Sequence, residues 1–163
     1  MLMKALVVYY SRTGNNRKIA GEIAEALGAD VEELKERASR EGCRGYLLAG
    51  RDAMRKRPAE LEPLVHSPVD YDLVILGGPV WAFTMCTPTW TYALEHKHSF
   101  RLVAFFSTAA DARFTRKAIQ ALTDACGKAP IATLVLSDVN VARDHRQAVA
   151  DFVASLHSHG TAD

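Results

Sequence analysis

Apolar residues along this chain follow two alternating patterns. Short continuous apolar runs, such as Leu73-Val74-Ile75-Leu76, are typical of strands that are buried on both faces. Between these runs, apolar residues at three- and four-residue spacing predict amphipathic helices, as Ile19, Ile23 and Leu27 do before Gly28. The predicted strands are 4–10, 30–34, 71–77, 101–107 and 130–136. The predicted helices are 16–27, 46–56, 87–94, 112–126 and 143–157.

Strands that alternate with helices indicate a particular architecture. Because the strands are continuously apolar, we expect a parallel sheet that is covered by helices on both faces. The fold class is therefore α/β, a three-layer sandwich around a five-stranded parallel sheet. The 163 residues, 48% of them apolar, fit one domain over 1–163, and no repeat or linker interrupts them.

Charge and cysteine content narrow the function classes. The formal net charge of +1 argues against nucleic acid or an anionic membrane as the main partner. No apolar run approaches the roughly 20 residues of a membrane span, and the first residues lack a cleavable signal pattern. The three cysteines are widely spaced and form no C-x-x-C pair. A soluble protein of the reducing cytoplasm is the simplest interpretation.

Basic residues are dense between Arg37 and Arg57. We interpret them as the solvated face of a surface helix, because acidic residues are interspersed among them. The alternative is a docking patch for an acidic partner or a phosphorylated nucleotide.

The segment after the first predicted strand carries the clearest chemical signal. It reads Ser11-Arg12-Thr13-Gly14-Asn15-Asn16 and leads directly into a helix. The start of a helix offers free backbone N–H groups and a positive dipole end to an anion, and these side chains add further donors. The segment matches neither the G-x-x-x-x-G-K-[ST] loop nor the G-x-G-x-x-G fingerprint. We therefore predict a phosphate monoester site rather than a site for a nucleoside triphosphate or dinucleotide.

Two more loops follow predicted strands and should lie at the same edge of the sheet, where open parallel sheets bind ligands. In the loop 77–88, Gly77 and Gly78 would let the backbone approach a flat ligand, and Trp81 and Phe83 could stack on it. The alternative is that one or both rings cap the core. The loop 107–112 consists of small residues and Asp111, which we expect to cap the next helix.

These loops resemble those of the flavodoxin-like FMN-binding proteins. The likeness rests on Tyr10 through Asn16 and on the run from Asp72 to Trp81, and it extends over nearly the whole chain. It implies the strand order 2-1-3-4-5 and FMN as the cofactor. The last predicted strand carries no long insertion, as in the short-chain form of the family. By resemblance, the FMN phosphate would be held by Ser11, Arg12, Thr13, Gly14, Asn15 and Asn16, the isoalloxazine would be lined by Pro79, Val80, Trp81, Ala82 and Phe83, and its far edge would be closed by Ser107, Thr108 and Ala109.

The sequence departs from the family pattern at several positions. Asn16 replaces the family's final threonine, and the third loop lacks the usual glycines and aromatic residue. Phe83 stands where relatives often have glycine, and phenylalanine resists positive φ. We therefore expect a one-electron reduced flavin to be weakly stabilised. The chain is also not acidic, whereas electron-carrier flavodoxins tend to be.

Three functions remain open at this point. The first is an FMN protein that transfers electrons to and from a redox partner protein. The second is an FMN-dependent oxidoreductase that takes hydride from NAD(P)H and reduces a quinone or another small acceptor. The third is a flavin-less interaction domain. The sequence indicates no catalytic side chain and no metal site, and it leaves the oligomeric state open between monomer and homodimer.

Overall fold

The computed structural model describes residues 3–37, 51 and 57–160. Apart from residue 51, the predicted helix at 46–56 lies outside the described residues, and so does most of the basic segment. The strands are β1 (Ala5–Tyr9), β2 (Asp30–Glu33), β3 (Leu73–Trp81), β4 (Thr84–Met85), β5 (Leu102–Ala109) and β6 (Thr133–Ser137). The helices are α1 (Asn15–Leu27), α2 (Thr87–His96), α3 (Thr115–Cys126), α4 (Asp138–Arg143) and α5 (Arg146–Gly160). Two short 3₁₀ turns, Pro68–Asp70 and Ala112–Phe114, complete the described elements.

Five of the described strands form a parallel sheet in the order β2-β1-β3-β5-β6. Counted without β4, this is the expected order 2-1-3-4-5. The short strand β4 pairs antiparallel with the end of β3. The predicted three-layer α/β fold is thus confirmed, with one small antiparallel addition.

The core lies on both faces of this sheet. Leu6 and Val8 of β1 pack into the cluster that α2 and α3 cover, whereas Val7 points to the opposite cluster. That second cluster includes Ile23 of α1 and Phe152 of α5. Because successive side chains of a strand point to opposite faces, a continuously apolar strand supplies both clusters at once. This explains why the strand pattern in the sequence was continuous rather than alternating.

The structure differs from the sequence prediction at the ends of several elements. Strand β3 continues to Trp81 and β5 to Ala109, because Pro79 pairs with Thr108 beyond the predicted strand ends. The predicted loops 77–88 and 107–112 are therefore partly strand. The predicted last helix, 143–157, corresponds to α5, which is displaced three residues towards the C-terminus, and the short helix α4 directly after β6 was not predicted. Among the described residues, no helix is long and apolar enough to cross a membrane.

Candidate functional site

Helix α1 begins directly after the first loop and presents its positive end there. Gly14 precedes the helix with φ 97°, a left-handed conformation that favours glycine. The Gly14 N–H donates to Ser11 Oγ at 3.1 Å, which folds the loop back on itself. No described side chain caps the helix, and its first turn contains no acidic residue. The first turn of α1 therefore offers backbone N–H groups and the positive end of the helix dipole, as an anion site requires.

A pocket of about 320 Å³ opens beside this helix end. Its size falls within the range of small-molecule sites, roughly 300–1,000 Å³. It connects the first loop to the ends of β3 and β5, so that all three predicted loops contribute to it. The lining residues are Arg12, Thr13, Asn16, Pro79, Val80, Trp81, Thr108, Ala109, Ala110 and Asp138.

Eight of the sequence-predicted site residues line this pocket, and six do not. The eight are Arg12, Thr13, Asn16, Pro79, Val80, Trp81, Thr108 and Ala109. The six that do not contribute to its lining are Ser11, Gly14, Asn15, Ala82, Phe83 and Ser107. Ser11 and Gly14 shape the loop, as described above, and Ser107 is 1% exposed within β5.

Asn16, in the first turn of α1, is the most buried polar residue that lines the pocket. It is 2% exposed, and its Nδ2 donates to Thr108 Oγ1 at 2.8 Å. This bond ties the first turn of α1 to the end of β5. The other amide atom, Oδ1, is buried and has no hydrogen-bond partner. An orphaned acceptor in a pocket wall is costly unless a ligand supplies a donor.

Asp138 also lines the pocket and was not among the predicted site residues. Asn15 Nδ2 donates to Asp138 Oδ1 at 2.8 Å, so the Asn15 side chain is held by the first residue of α4, directly after β6. The signal was present in the sequence, since Asp138 directly follows a strand end, as the other pocket segments do. Ala110, which was also missed, continues the third loop past the last predicted site residue.

The sequence suggested that Gly77 and Gly78 let the backbone approach a flat ligand, but the structure gives them a different role. A Cβ on Gly77 would lie 1.9 Å from the Phe106 ring, and one on Gly78 would lie 2.5 Å from Cys86 Sγ. Both glycines lie within β3, where neighbouring side chains fill the space that a Cβ would need. The expectation that they admit a flat ligand is therefore wrong, because core packing requires them.

The two aromatic residues of the second loop have different surroundings. Trp81 is 5% exposed, belongs to the core and also lines the pocket. Its ring meets Tyr10 edge-to-face at 5.4 Å between centroids. Phe83 is 55% exposed and packs edge-to-face on Phe114 of the 3₁₀ turn after β5, with 5.0 Å between the ring centroids. Trp81 thus caps the core and offers a ring wall, whereas Phe83 bridges two loops outside the pocket.

The β3–β4 hairpin has an unusual turn. Its two connecting residues, Ala82 and Phe83, have φ values of 47° and 65°. Positive φ at both positions is typical of a type I′ turn, which normally uses asparagine and glycine. Phe83 thus adopts the conformation that we expected it to resist, and that premise is wrong. The tight hairpin imposes this conformation because its twist matches the flanking strands.

The contacts of Asp111 and Cys86 indicate capping and packing roles rather than ligand binding. Asp111 Oδ1 accepts from the backbone N–H of Arg113 at 2.8 Å, so Asp111 caps the 3₁₀ turn Ala112–Phe114 rather than the predicted helix, since α3 begins only at Thr115 and has no side-chain cap among the described residues. Hydrogen bonds from Arg113 also lower the pKa of Asp111. Cys86 is fully buried and donates to Thr89 Oγ1, and burial raises the pKa of its thiol to about 12. An inert packing role, rather than a reactive thiol, follows for Cys86.

A comparison with models of protein families shows which family the chain belongs to. A family model described as flavodoxin matches residues 4–154, nearly the whole length. The chain belongs to the flavodoxin family. None of the curated protein sequences matches this flavodoxin-family chain.

Solved structures share the fold of this flavodoxin-family chain. A flavoprotein from Lactobacillus acidophilus NCFM, in complex with FMN, is 24% identical with a TM-score of 0.71, over 86% of this chain and 97% of that one. Oxidised flavodoxin 2 from Bacillus cereus is 16% identical with a TM-score of 0.61, over 96% and 99% of the two chains. A Fusobacterium nucleatum flavodoxin bound to flavin mononucleotide is 12% identical with a TM-score of 0.60, over 96% and 98%. At these identities the likeness establishes the fold.

Proposed function

We propose that this protein binds one FMN in the pocket and transfers electrons through it. The proposal rests on one observation: a single pocket extends from the uncapped N-terminal end of α1 to the Trp81 ring. An anion site at one end and an aromatic wall at the other match the two ends of a flavin mononucleotide. The FMN that accompanies two solved structures of the same fold supports this assignment.

The residues present fit the parts of FMN. The first-turn N–H groups of α1, together with Arg12 and Thr13, would hold the phosphate. Pro79, Val80 and Trp81 would line one side of the isoalloxazine, and the Thr108–Ala109 end of β5 would close its edge. When bound, the isoalloxazine supplies the redox chemistry, and the protein supplies placement and electrostatics.

The test is direct binding. The purified protein should be yellow, release FMN on denaturation, and rebind FMN with quenching of flavin fluorescence. Riboflavin, which lacks the phosphate, should bind more weakly and with less dependence on salt, because salt screens the ionic contacts that only the phosphate makes.

Arg12→Ala should weaken FMN binding roughly tenfold, as expected for loss of a charge-assisted contact. Arg116→Ala removes the same charge from α3 and should leave binding unchanged. Calorimetry without FMN uptake would overturn the proposal.

A second candidate is an FMN-dependent oxidoreductase that takes hydride from NAD(P)H and reduces a quinone or another small molecule. The near-neutral charge of +1 weakens the picture of a strongly acidic electron carrier without strongly favouring either candidate. Rapid NAD(P)H oxidation by the FMN-loaded protein alone would support the oxidoreductase. Reduction that requires a separate reductase would support the carrier, with a redox partner protein in the cytoplasm.

The remaining candidate is an interaction domain that has kept the fold without the flavin. The uncapped helix end and the orphaned Asn16 Oδ1 argue against it, because a site that no ligand fills has no reason to retain them. A colourless protein that does not bind added FMN would support it.

A further inference from the structure

Asp138 places a carboxylate at the end of the pocket that suits an anion. It lines the pocket, and its Oδ1 accepts a hydrogen bond at 2.8 Å from Nδ2 of Asn15, the first residue of α1. Among the described residues of the pocket lining, Arg12 is the only other charged one. The formal charges of the lining therefore cancel, although a site with net positive charge would hold a phosphate more tightly.

The fold fixes α4 beside α1 at two more points. Lys18 Nζ donates to the Val141 carbonyl oxygen at 3.4 Å. The Glu22 carboxylate lies 2.9 Å from Nε2 of His145, which is 6% exposed. In all three contacts the two residues are 123 positions apart along the chain, so α1 and the segment that contains α4 run parallel in one constant register. The Asp138 carboxylate is therefore held at the first turn of α1 by the register of the backbone as well as by its own hydrogen bond.

Asp138 is not the capping residue of α4. Ser137 Oγ accepts from the Asn140 N–H at 3.1 Å and caps that helix. The Asp138 side chain instead reaches across to α1, where the positive end of the helix dipole favours a negative group. A ligand phosphate would be attracted to the same helix end for the same reason. The carboxylate and the phosphate would repel each other there, and both would use the side-chain amide of Asn15.

We propose that Asp138 is a specificity-determining residue that limits how tightly the pocket holds a phosphate group. Its carboxylate repels the phosphate at the first turn of α1, so FMN binds more weakly and exchanges more readily than it would without this charge. Riboflavin, which has no phosphate, does not experience the repulsion. The inference rests on the proposed binding of FMN and deepens it, because it assigns the strength of the preference for the phosphorylated flavin to a residue after β6.

The experiment compares FMN with riboflavin. Dissociation constants are measured by flavin fluorescence for the wild-type chain and for Asp138→Asn, which removes the charge but keeps a side-chain oxygen that can accept from Asn15. Asp138→Asn should bind FMN about threefold more tightly, as expected when a solvent-exposed charge is removed beside an anion. Its affinity for riboflavin should equal that of the wild-type chain. The dissociation rate of FMN should fall by a similar factor.

Three controls separate the charge from other effects of the substitution. Asp144→Asn removes the same charge from an exposed residue at the other end of α4, outside the pocket lining, and should leave both dissociation constants unchanged. Asp138→Ser is a second neutral variant, which should reproduce the gain even where Asp138→Asn does not fold. Raising the salt concentration from about 0.01 M to about 1 M should reduce the gain, because salt screens the repulsion.

The outcomes distinguish this inference from the proposed function. The role of Asp138 is overturned, while FMN binding stands, if neither neutral variant binds FMN more tightly than the wild-type chain does. It is also overturned if riboflavin gains as much affinity as FMN, or if the gain is undiminished at about 1 M salt. If neither flavin binds the wild-type chain, both the proposed function and this inference fall.

Discussion

Ala82 and Phe83 show how a fold can hold single residues in a conformation that they disfavour. Left-handed backbone costs a non-glycine residue roughly 1–2 kcal/mol, and both residues adopt it. The hairpin register, in which Trp81 pairs with Thr84, leaves only two residues for the turn. The pairing of β4 and the contact between Phe83 and Phe114 offset this cost.

Replacing Ala82 with glycine should therefore stabilise the protein. Glycine has no Cβ to strain at φ 47°, and we expect the free energy of unfolding to rise by about 0.5–1 kcal/mol. Urea denaturation measures the change. The control is Ala154→Gly, the same substitution on the exposed face of α5, which should cost about 1 kcal/mol. Equal effects of the two substitutions would contradict the claim that the left-handed backbone strains Ala82.

At the scale of elements, β3 depends on close packing at its glycines. Phe106 is fully buried, and its ring occupies the space above Gly77. Since β3 is the central strand between β1 and β5, a displacement of β3 would disturb its pairing with both neighbouring strands.

Gly77→Ala should destabilise the protein by about 3 kcal/mol or more, because the new Cβ would lie 1.9 Å from an aromatic ring with no room to move. Gly21→Ala is the matched control. Nothing lies within 4 Å of its new Cβ, and alanine is the better helix former, so α1 should gain up to about 1 kcal/mol. The midpoints of chemical denaturation compare the two. A Gly77→Ala protein as stable as wild type would show that β3 can shift.

The β3–β4 turn also bears on the redox behaviour of a bound flavin. Reversing the peptide between Ala82 and Phe83 would convert the turn to type II′, which strongly favours glycine at the first position. The turn should therefore not adapt to the redox state, and we expect the one-electron reduced flavin to remain a minor species. Absorbance spectra recorded during reductive titration of the FMN-loaded protein measure it. A dominant radical would contradict this expectation, and Ala82→Gly should raise the radical fraction.

At the scale of the whole molecule, the buried thiols make stability depend on alkaline pH. Burial raises the pKa of Cys86 and of Cys126 to about 12 each, against about 9 in the unfolded chain. Above pH 9 the unfolded state loses these protons and the native state keeps them, so the free energy of unfolding falls as pH rises.

We expect each buried thiol to lower the free energy of unfolding by about 1.4 kcal/mol per pH unit between roughly pH 9.5 and 11. Below pH 9 this contribution should be constant. Cys86→Ala should lower stability near neutral pH, since it leaves a cavity, and should reduce the slope, so that the difference from wild type shrinks as pH rises. Denaturation curves recorded from pH 7 to 11 test this. A slope that is the same in wild type and Cys86→Ala would contradict the role of Cys86.

The apolar pattern of the sequence was sufficient to predict the five parallel strands, the four longer described helices, the parallel sheet and its two covered faces, but neither β4 nor α4. These features are local: burial on both faces requires a continuously apolar strand, and a helix on a sheet requires a regular apolar stripe. The turn from β1 into α1 was also predictable, because glycine and short polar residues favour such a turn, and Gly14 adopts positive φ there. Family resemblance added the strand order and the nature of the cofactor.

Only the tertiary structure decided which of these residues meet in one pocket. Asn16 bonds Thr108, 92 residues away, and Asn15 bonds Asp138, 123 residues away. Likewise, the Phe106 ring that requires Gly77 lies on the neighbouring strand β5, 29 residues further along the chain. No local pattern encodes such pairs, because they arise when parallel strands bring distant strand ends to one edge of the sheet.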